Sequence, residues 1–269
     1  MKKKRHRMKW ALAASLLLAL LPGWGGGMPG ATTVAVKAAD DPATGKQVAI
    51  VIDDFGNNMG GTELILGLPI PLTAAVMPFM PTTERDAEMA HKAGHDVIVH
   101  MPMEPLRGKR SWLGPGAVMT DQTDEQIRDT VGKAIDSVPH AIGMNNHMGS
   151  KATSDPRVMR IVLEVCKERG LFFFDSRTNY RSVIGQIGAE LGVPVVENHI
   201  FLDDIASQAH VKKQLRKIVA HLSGEERCVA IGHVGITGKN TGEALRDSIP
   251  ELQKQFTFVK LATFLPNVQ

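Results

Sequence analysis

Short runs of uninterrupted apolar residues end abruptly in polar ones along most of this chain. Val48-Ala49-Ile50-Val51-Ile52 leads into Asp53-Asp54-Phe55-Gly56, and Val97-Ile98-Val99 into His100-Met101-Pro102-Met103-Glu104. Ala141-Ile142-Gly143-Met144 leads into Asn145-Asn146-His147-Met148-Gly149, Leu171-Phe172-Phe173-Phe174 into Asp175-Ser176, and Cys228-Val229-Ala230-Ile231-Gly232 into His233. Runs that are apolar at every position suit strands buried on both faces. The pattern predicts strands over 47–53, 72–77, 96–101, 140–145, 170–175, 193–197, 227–232 and 256–261. Amphipathic stretches between them predict helices over 59–67, 83–93, 123–137, 156–169, 180–191, 208–222 and 241–253. Ser154-Asp155-Pro156 reads as a helix start with proline in the first turn, and Thr123 with Gln126 as a capping box. Gly94, Gly170, Gly192 and Gly224 stand where helices should stop.

Strands alternating with helices imply an α/β protein with a parallel sheet and right-handed crossovers. An irregular (β/α) barrel with parallel strands fits better than an open doubly wound sheet. Ligands of an open sheet gather at one switch point, whereas here nearly every strand ends in a reactive side chain. Residues 47–269 are expected to form this single domain, with 39–46 as a flexible lead-in. One long connection, Glu104 to Gln122, carries Arg107, Lys109, Arg110 and Trp112 and is expected to face the substrate.

Charge changes the picture at one end only. The formal net charge is +3, but residues 1–38 hold seven basic residues and no acid; the remainder has 24 basic against 28 acidic residues, a net of −4. This gives no reason to expect a nucleic-acid partner. The basic segment Lys2–Lys9 precedes a twelve-residue apolar stretch, Trp10–Leu21, too short to span a bilayer that needs about 20 residues. With Val36-Lys37-Ala38 as a small-residue cleavage site, 1–38 reads as a signal peptide, and an uncleaved N-terminal anchor is the alternative. The protein is therefore expected to be exported, with no membrane contact beyond that segment. Cys166 and Cys228 read as small buried hydrophobes, their spacing fitting no zinc motif.

Two adjacent carboxylates at a strand end repel each other unless a cation lies near. One of Asp53 and Asp54 could ligate a metal while the other acts as a base; a turn or helix cap is the bland alternative. His100, fixed beside Pro102, is a candidate ligand, whereas His95 lies at the opposite strand end and reads as structural. Glu104 could ligate, accept a proton or be solvated. Asn145 could donate to an oxyanion or hold a ligating carboxylate, and His147 could complete an Asp-His-His triad. Asp175 could orient a histidine, anchor an arginine or cap the next helix. His233 is a candidate general acid because imidazole titrates near neutral pH. Asp203-Asp204 read as caps for the 208–222 helix, and His91, His140, His210 and His221 as surface residues.

Together, Ile52-Asp53-Asp54-Phe55-Gly56, His100-Met101-Pro102-Met103-Glu104-Pro105, Asn145-Asn146-His147-Met148-Gly149-Ser150 and Asp175-Ser176 resemble the divergent polysaccharide deacetylase family over about 47–262. The resemblance implies an irregular (β/α) barrel that removes N- or O-acetyl groups from a carbohydrate or cell-wall glycan, with a divalent metal, usually zinc. It implies Asp53 as catalytic base, Asp54 and His100 as ligands, His233 as general acid, and Asp175 as the carboxylate steering its active-site partner. The superfamily's second ligand histidine follows the first by about four positions, where this chain has Glu104; His147 is the candidate replacement. A non-catalytic barrel binding glycan or an envelope partner, and a phosphoesterase, are the competing readings.

Overall fold

The structure is a computed structural model describing residues 45–266; the expected signal peptide, and the lead-in up to residue 44, lie outside the described residues. The elements run β1 (Gln47–Phe55), α1 (Thr62–Leu66), β2 (Thr73–Val76), α2 (Thr83–Lys92), β3 (Asp96–Met103), α3 (Asp124–Ser137), β4 (Ala141–Met148), α4 (Pro156–Glu168) and β5 (Phe172–Asp175). They continue with α5 (Ile184–Leu191), β6 (Val195–Glu197), β7 (Ile200–Phe201), α6 (Gln208–His221), β8 (Arg227–His233), α7 (Gly238–Leu252) and β9 (Thr257–Val259). Every strand pairing is parallel, in the order β6-β5-β4-β3-β2-β1-β8-β7.

The two edge strands are pieces of one segment. After pairing with β5, the chain leaves at Asn198, whose N–H donates to Asp175 O; at His199 its N–H donates to Val229 O, and β7 then pairs with β8. The ring of strands is thus closed by continuous chain rather than by a ladder between β6 and β7. This is the irregular (β/α) barrel the pattern implies. β7 itself was not legible, because Asn198 and His199 interrupt the apolar run.

Alternation along the strands sorts two cores. Val48, Ile50 and Ile52 face the helices, while Ala49 and Val51 face inward with Ala75, Ile98, Phe172, Phe174, Val229 and Ile231. Leu261, Ala262, Phe264 and Leu265, after β9, plug the bottom of this inner core. β9 and β2 share one edge of β1, β9 along Gln47–Ala49 and β2 along Val51–Phe55. Room for the phenyl groups comes partly from Gly143, where a Cβ would lie 2.6 Å from the Phe172 ring. With both cores drawn from residues 45–266, the barrel unit, Asp40–Gln269, encloses its own interior.

Helix starts follow their caps. Asp155 accepts from the N–H groups of Arg157 and Val158 with Pro156 in the first turn, and Thr123 forms the full capping box with Gln126. Two helices are shorter than the pattern suggests. α1 begins only at Thr62 because Gly61 adopts φ 89, and the expected 180–191 helix begins at Ile184. Both cysteines are buried and free.

Candidate metal centre

Alternation that puts Val51, Ile98, Phe174 and Ile231 in the inner core carries the same face upward to Asp53, His100, Ser176 and His233. β4 contributes Asn145 and His147 by the same step of two. In register, His100 pairs with Asn145 and Asp53 with His233, so these groups share one layer. Asp54 should point away from Asp53, yet it reaches the same centre. Its φ of 72 breaks the alternation where β1 loses register with β2 between Ile52 and Phe55. The following turn is pinned: Gly56 N–H donates to the buried Asp86 carboxylate, and Thr82 N–H to Gly56 O.

Three atoms converge there. Asp54 Oδ1 is 3.2 Å from His100 Nε2 and 3.1 Å from His147 Nδ1, and the two ring nitrogens are 3.1 Å apart. Their protonation follows from the outer sides of the rings. His100 Nδ1 lies 2.8 Å from Asn145 Oδ1, and His147 Nε2 lies 3.4 Å from Trp112 O. Both oxygens can only accept, so the outer nitrogens carry the hydrogens. Asn145 is oriented in turn, its Nδ2 donating to Asp53 Oδ1 at 3.0 Å and Ser176 Oγ at 3.2 Å. In the neutral rings, two nitrogen lone pairs therefore face each other and a carboxylate oxygen, and Asp54 Oδ1 is buried without accepting a hydrogen bond. Such a triangle demands positive charge. Asp54, His100 and His147 would hold such an ion, and two imidazole nitrogens with one carboxylate oxygen are donors that suit zinc. The residues present fit a divalent cation.

The charges around it agree. Burial pushes the Asp54 carboxyl up, but the imidazoles of His100 and His147 more than offset this and hold it well below the ordinary carboxylate value. Burial likewise opposes a proton on His100, yet Asp53 and Asp54 leave its pKa raised. Asp53, 2% exposed, has its pKa raised by burial, with His100 and His233 pulling the other way. Its Oδ1 takes the Asn145 bond, which leaves Oδ2 as the oxygen available to a proton.

Three expectations need correction. Asn145 is fully buried, and its Nδ2 faces Asp53 and Ser176, so it has no free donor for an oxyanion; it positions His100 and Asp53 instead. Asp175 falls on the outer face with Phe173, accepting from Arg177 N–H at 2.8 Å and Ser182 Oγ at 2.6 Å, and it steers no histidine. Its partners fasten the 176–182 loop, and burial raises its pKa. The carboxylate on His233 is Asp203, expected only as a cap: Oδ1 is 2.8 Å from Nδ1, and Oδ2 accepts from His233 N–H and Thr241 Oγ1. Burial lowers the His233 pKa, but Asp203, with the more distant Asp53 and Asp54, carries it up to about 9.

Glu104, at the position of the superfamily's second histidine, is a loop anchor. Its carboxylate accepts from Thr120 N–H and Oγ1 and from Lys151 Nζ, and its carbonyl from Lys151 and Ala152 N–H. Against burial, these donors hold its pKa below the ordinary value. Its contribution to stability is therefore present above about pH 4.3 and lost as pH falls through the lower folded value. Glu104→Ala is expected to cost about 1 kcal/mol in urea unfolding at neutral pH, less in acid, and to leave metal binding unchanged. His95 is structural, bonded to Leu66 O and Leu72 N. His221, expected on the surface, is half-buried and forms a second cluster with His199 and Cys228 at the opposite strand ends. There His199 Nδ1 already accepts Val229 N–H, and burial pushes the Cys228 thiol up to about 12, so that cluster lacks a ready anionic ligand.

The fold is a parallel-strand barrel with an acid–imidazole triad at its mouth. Residues 50–265 match the model of the divergent polysaccharide deacetylases, and the chain belongs to that family. It is 37% identical to an uncharacterized protein of Haemophilus influenzae over 187 residues, 70% of this chain and 66% of that one. It is 31% identical to an uncharacterized protein of Escherichia coli over 235 residues, 87% of this chain and 72% of that one. The fold is similar to the crystal structure of an uncharacterized protein from Agrobacterium tumefaciens, with TM-score 0.76 at 18% identity, covering 82% of this chain and 89% of that chain. It also resembles PdaA of Bacillus subtilis, a family 4 carbohydrate esterase, with TM-score 0.50 at 13% identity, covering 81% and 80%.

Proposed function

We propose that this protein is an exported, metal-dependent carbohydrate deacetylase, acting on a glycan of the cell envelope. The observation that carries the reading is the convergence of Asp54 Oδ1, His100 Nε2 and His147 Nδ1 within 3.2 Å of one another, with the buried oxygen accepting no hydrogen bond. Two imidazole nitrogens and one carboxylate are a donor set suited to zinc. The chemistry a bound zinc supplies there is polarisation of an acetyl carbonyl and a lowered pKa for water.

The remaining groups divide the proton work. Asp53, its pKa raised by burial and its Oδ1 occupied by Asn145, presents Oδ2 to take a proton from the attacking water. His233, kept protonated at neutral pH by Asp203, delivers a proton to the departing amine or alkoxide. Asn145 holds the His100 tautomer that leaves Nε2 free. Asn145→Ala is expected to weaken zinc binding about 10–100-fold, as loss of such a supporting partner typically does. The barrel should stay folded, as circular dichroism would show.

Acetate release from N-acetylated peptidoglycan, chitin oligomers and acetylated xylan, with and without a chelator, tests the reading. Chelator-sensitive release from one of them is the expected result. Zinc-loaded protein that releases no acetate from any of them, nor from small acetyl esters, would contradict the reading and favour a non-catalytic glycan-binding barrel.

A further inference from the structure

The first turn of α2 spends its polar side chains away from its own helix. Thr82 stands at the N-cap, yet its hydroxyl caps no helical N–H. Its Oγ1 instead accepts Asn58 N–H at 3.0 Å and donates to Asp86 Oδ2 at 2.9 Å. Thr83 Oγ1 accepts Met80 N–H at 2.9 Å and donates to Met77 O at 2.7 Å. Asp86 is fully buried, and its Oδ2 also accepts Gly56 N–H at 2.9 Å. Thr82 N–H donates to Gly56 O at 2.7 Å, so Gly56 is gripped at both its backbone polar groups. Beyond the Thr82–Asp86 bond, every partner lies on the segment that follows β1 or β2.

A buried acid is costly, and pairing it with a cation adds little net stability over an apolar replacement. Asp86 has Arg85 on its other oxygen, Oδ1, and that guanidinium is itself half exposed. No proton step of the deacetylase reading uses Asp86. What it holds is the backbone beside Asp54. That residue sits between two tied neighbours: Asp53 O accepts Val234 N–H, and Phe55 O accepts Met77 N–H. Its φ of 72 lies in the left-handed region, and this backbone turns its Oδ1 to His100 and His147. Such a conformation persists only where its surroundings over-determine it. The Gly56 turn supplies that constraint on the far side, and it packs closely: a Cβ on Gly56 would lie 2.9 Å from Met77 O.

We infer that Asp86, together with Thr82, is a positioning residue of the metal centre. It holds the turn after β1 so that Asp54 keeps the left-handed backbone that carries its carboxylate to His100 and His147. The inference rests on the metal-site reading and adds to it a buried acid from a separate helix, which touches none of the three donors.

Zinc affinity, read by competition with a chromophoric chelator in the wild-type and Asp54→Ala backgrounds, tests this. Asp86→Ala and Thr82→Val should each weaken zinc binding about tenfold in the wild-type background, the lower end of what losing a ligand's support costs. In the Asp54→Ala background the same changes should alter the remaining affinity by less than about twofold, because residues that act through one group are not additive. Asp86→Asn keeps an oxygen for the Gly56 N–H and should recover most of the affinity. Circular dichroism identifies the folded variants; the nearly isosteric Thr82→Val carries the test if Asp86→Ala does not fold. Wild-type zinc affinity in the folded variants, with only a lower Tm, would make the network structural alone and overturn the inference. Equal losses in both backgrounds would overturn it too, since the effect would not pass through Asp54. Wild-type affinity in Asp54→Ala itself would overturn the metal site and this inference with it, so the two failures are distinct.

Discussion

Asp54→Ala is expected to weaken zinc binding by at least about a hundredfold and to abolish acetate release. Asp54 supplies the one anionic corner of the triangle, and its Oδ1 is buried without a hydrogen-bond donor of its own. Removing it leaves two imidazole nitrogens 3.1 Å apart, which bind a divalent ion far more weakly than three donors do. Competition with a chromophoric chelator measures the affinity directly. Asp54→Asn separates charge from shape: it keeps an oxygen at the site but not the negative charge, and should recover only a small part of the loss. Wild-type affinity in Asp54→Ala would show that the triangle is not the metal site.

The second large effect is a shift in pH dependence. His233 is carried up to about 9 chiefly against burial by the Asp203 carboxylate at 2.8 Å, with help from Asp53 and Asp54. As pH rises through that value the ring loses its proton and can no longer serve as acid, so activity should fall on the alkaline side near 9. Asp203→Asn removes the nearest negative charge, and the falling limb should move toward the ordinary imidazole value of about 6.5. Activity near pH 6 should be affected far less than activity near pH 8. A uniform loss at all pH values would assign Asp203 a purely structural part. The pair also contributes to stability in a defined window. The raised His233 contribution is full below its unfolded value and lost as pH rises through 9; the depressed Asp203 contribution is present above the ordinary aspartate value and lost below it. Asp203→Asn should therefore lower stability between the ordinary aspartate range and about pH 9 and change it little outside that window.

The barrel was largely legible because strands buried on both faces leave uninterrupted apolar runs, and because Thr123, Asp155 and Gly192 mark helix ends chemically. The apolar spacing runs on through Gly60-Gly61 and so predicts a longer α1 than the one that forms, because φ 89 at Gly61 forbids a helix there. The site was legible one strand at a time, from residue type at the end of each run. What linked the strands was not. The approach of Asp54 depends on a left-handed backbone at one residue, which no periodicity announces. Asp203 follows a two-residue strand too short to leave a pattern, so its carboxylate read as a cap. Asp175 follows a clear strand, but alternation after Phe172 and Phe174 already places it on the outer face. Counting inward positions from the inner core would have separated it from His233.

Zinc-edge anomalous diffraction from crystals grown with zinc tests the central claim most directly. A single strong peak about 2.0–2.1 Å from Asp54 Oδ1, His100 Nε2 and His147 Nδ1 is the predicted result. No peak there, or one held instead by His199, His221 and Cys228, would contradict it.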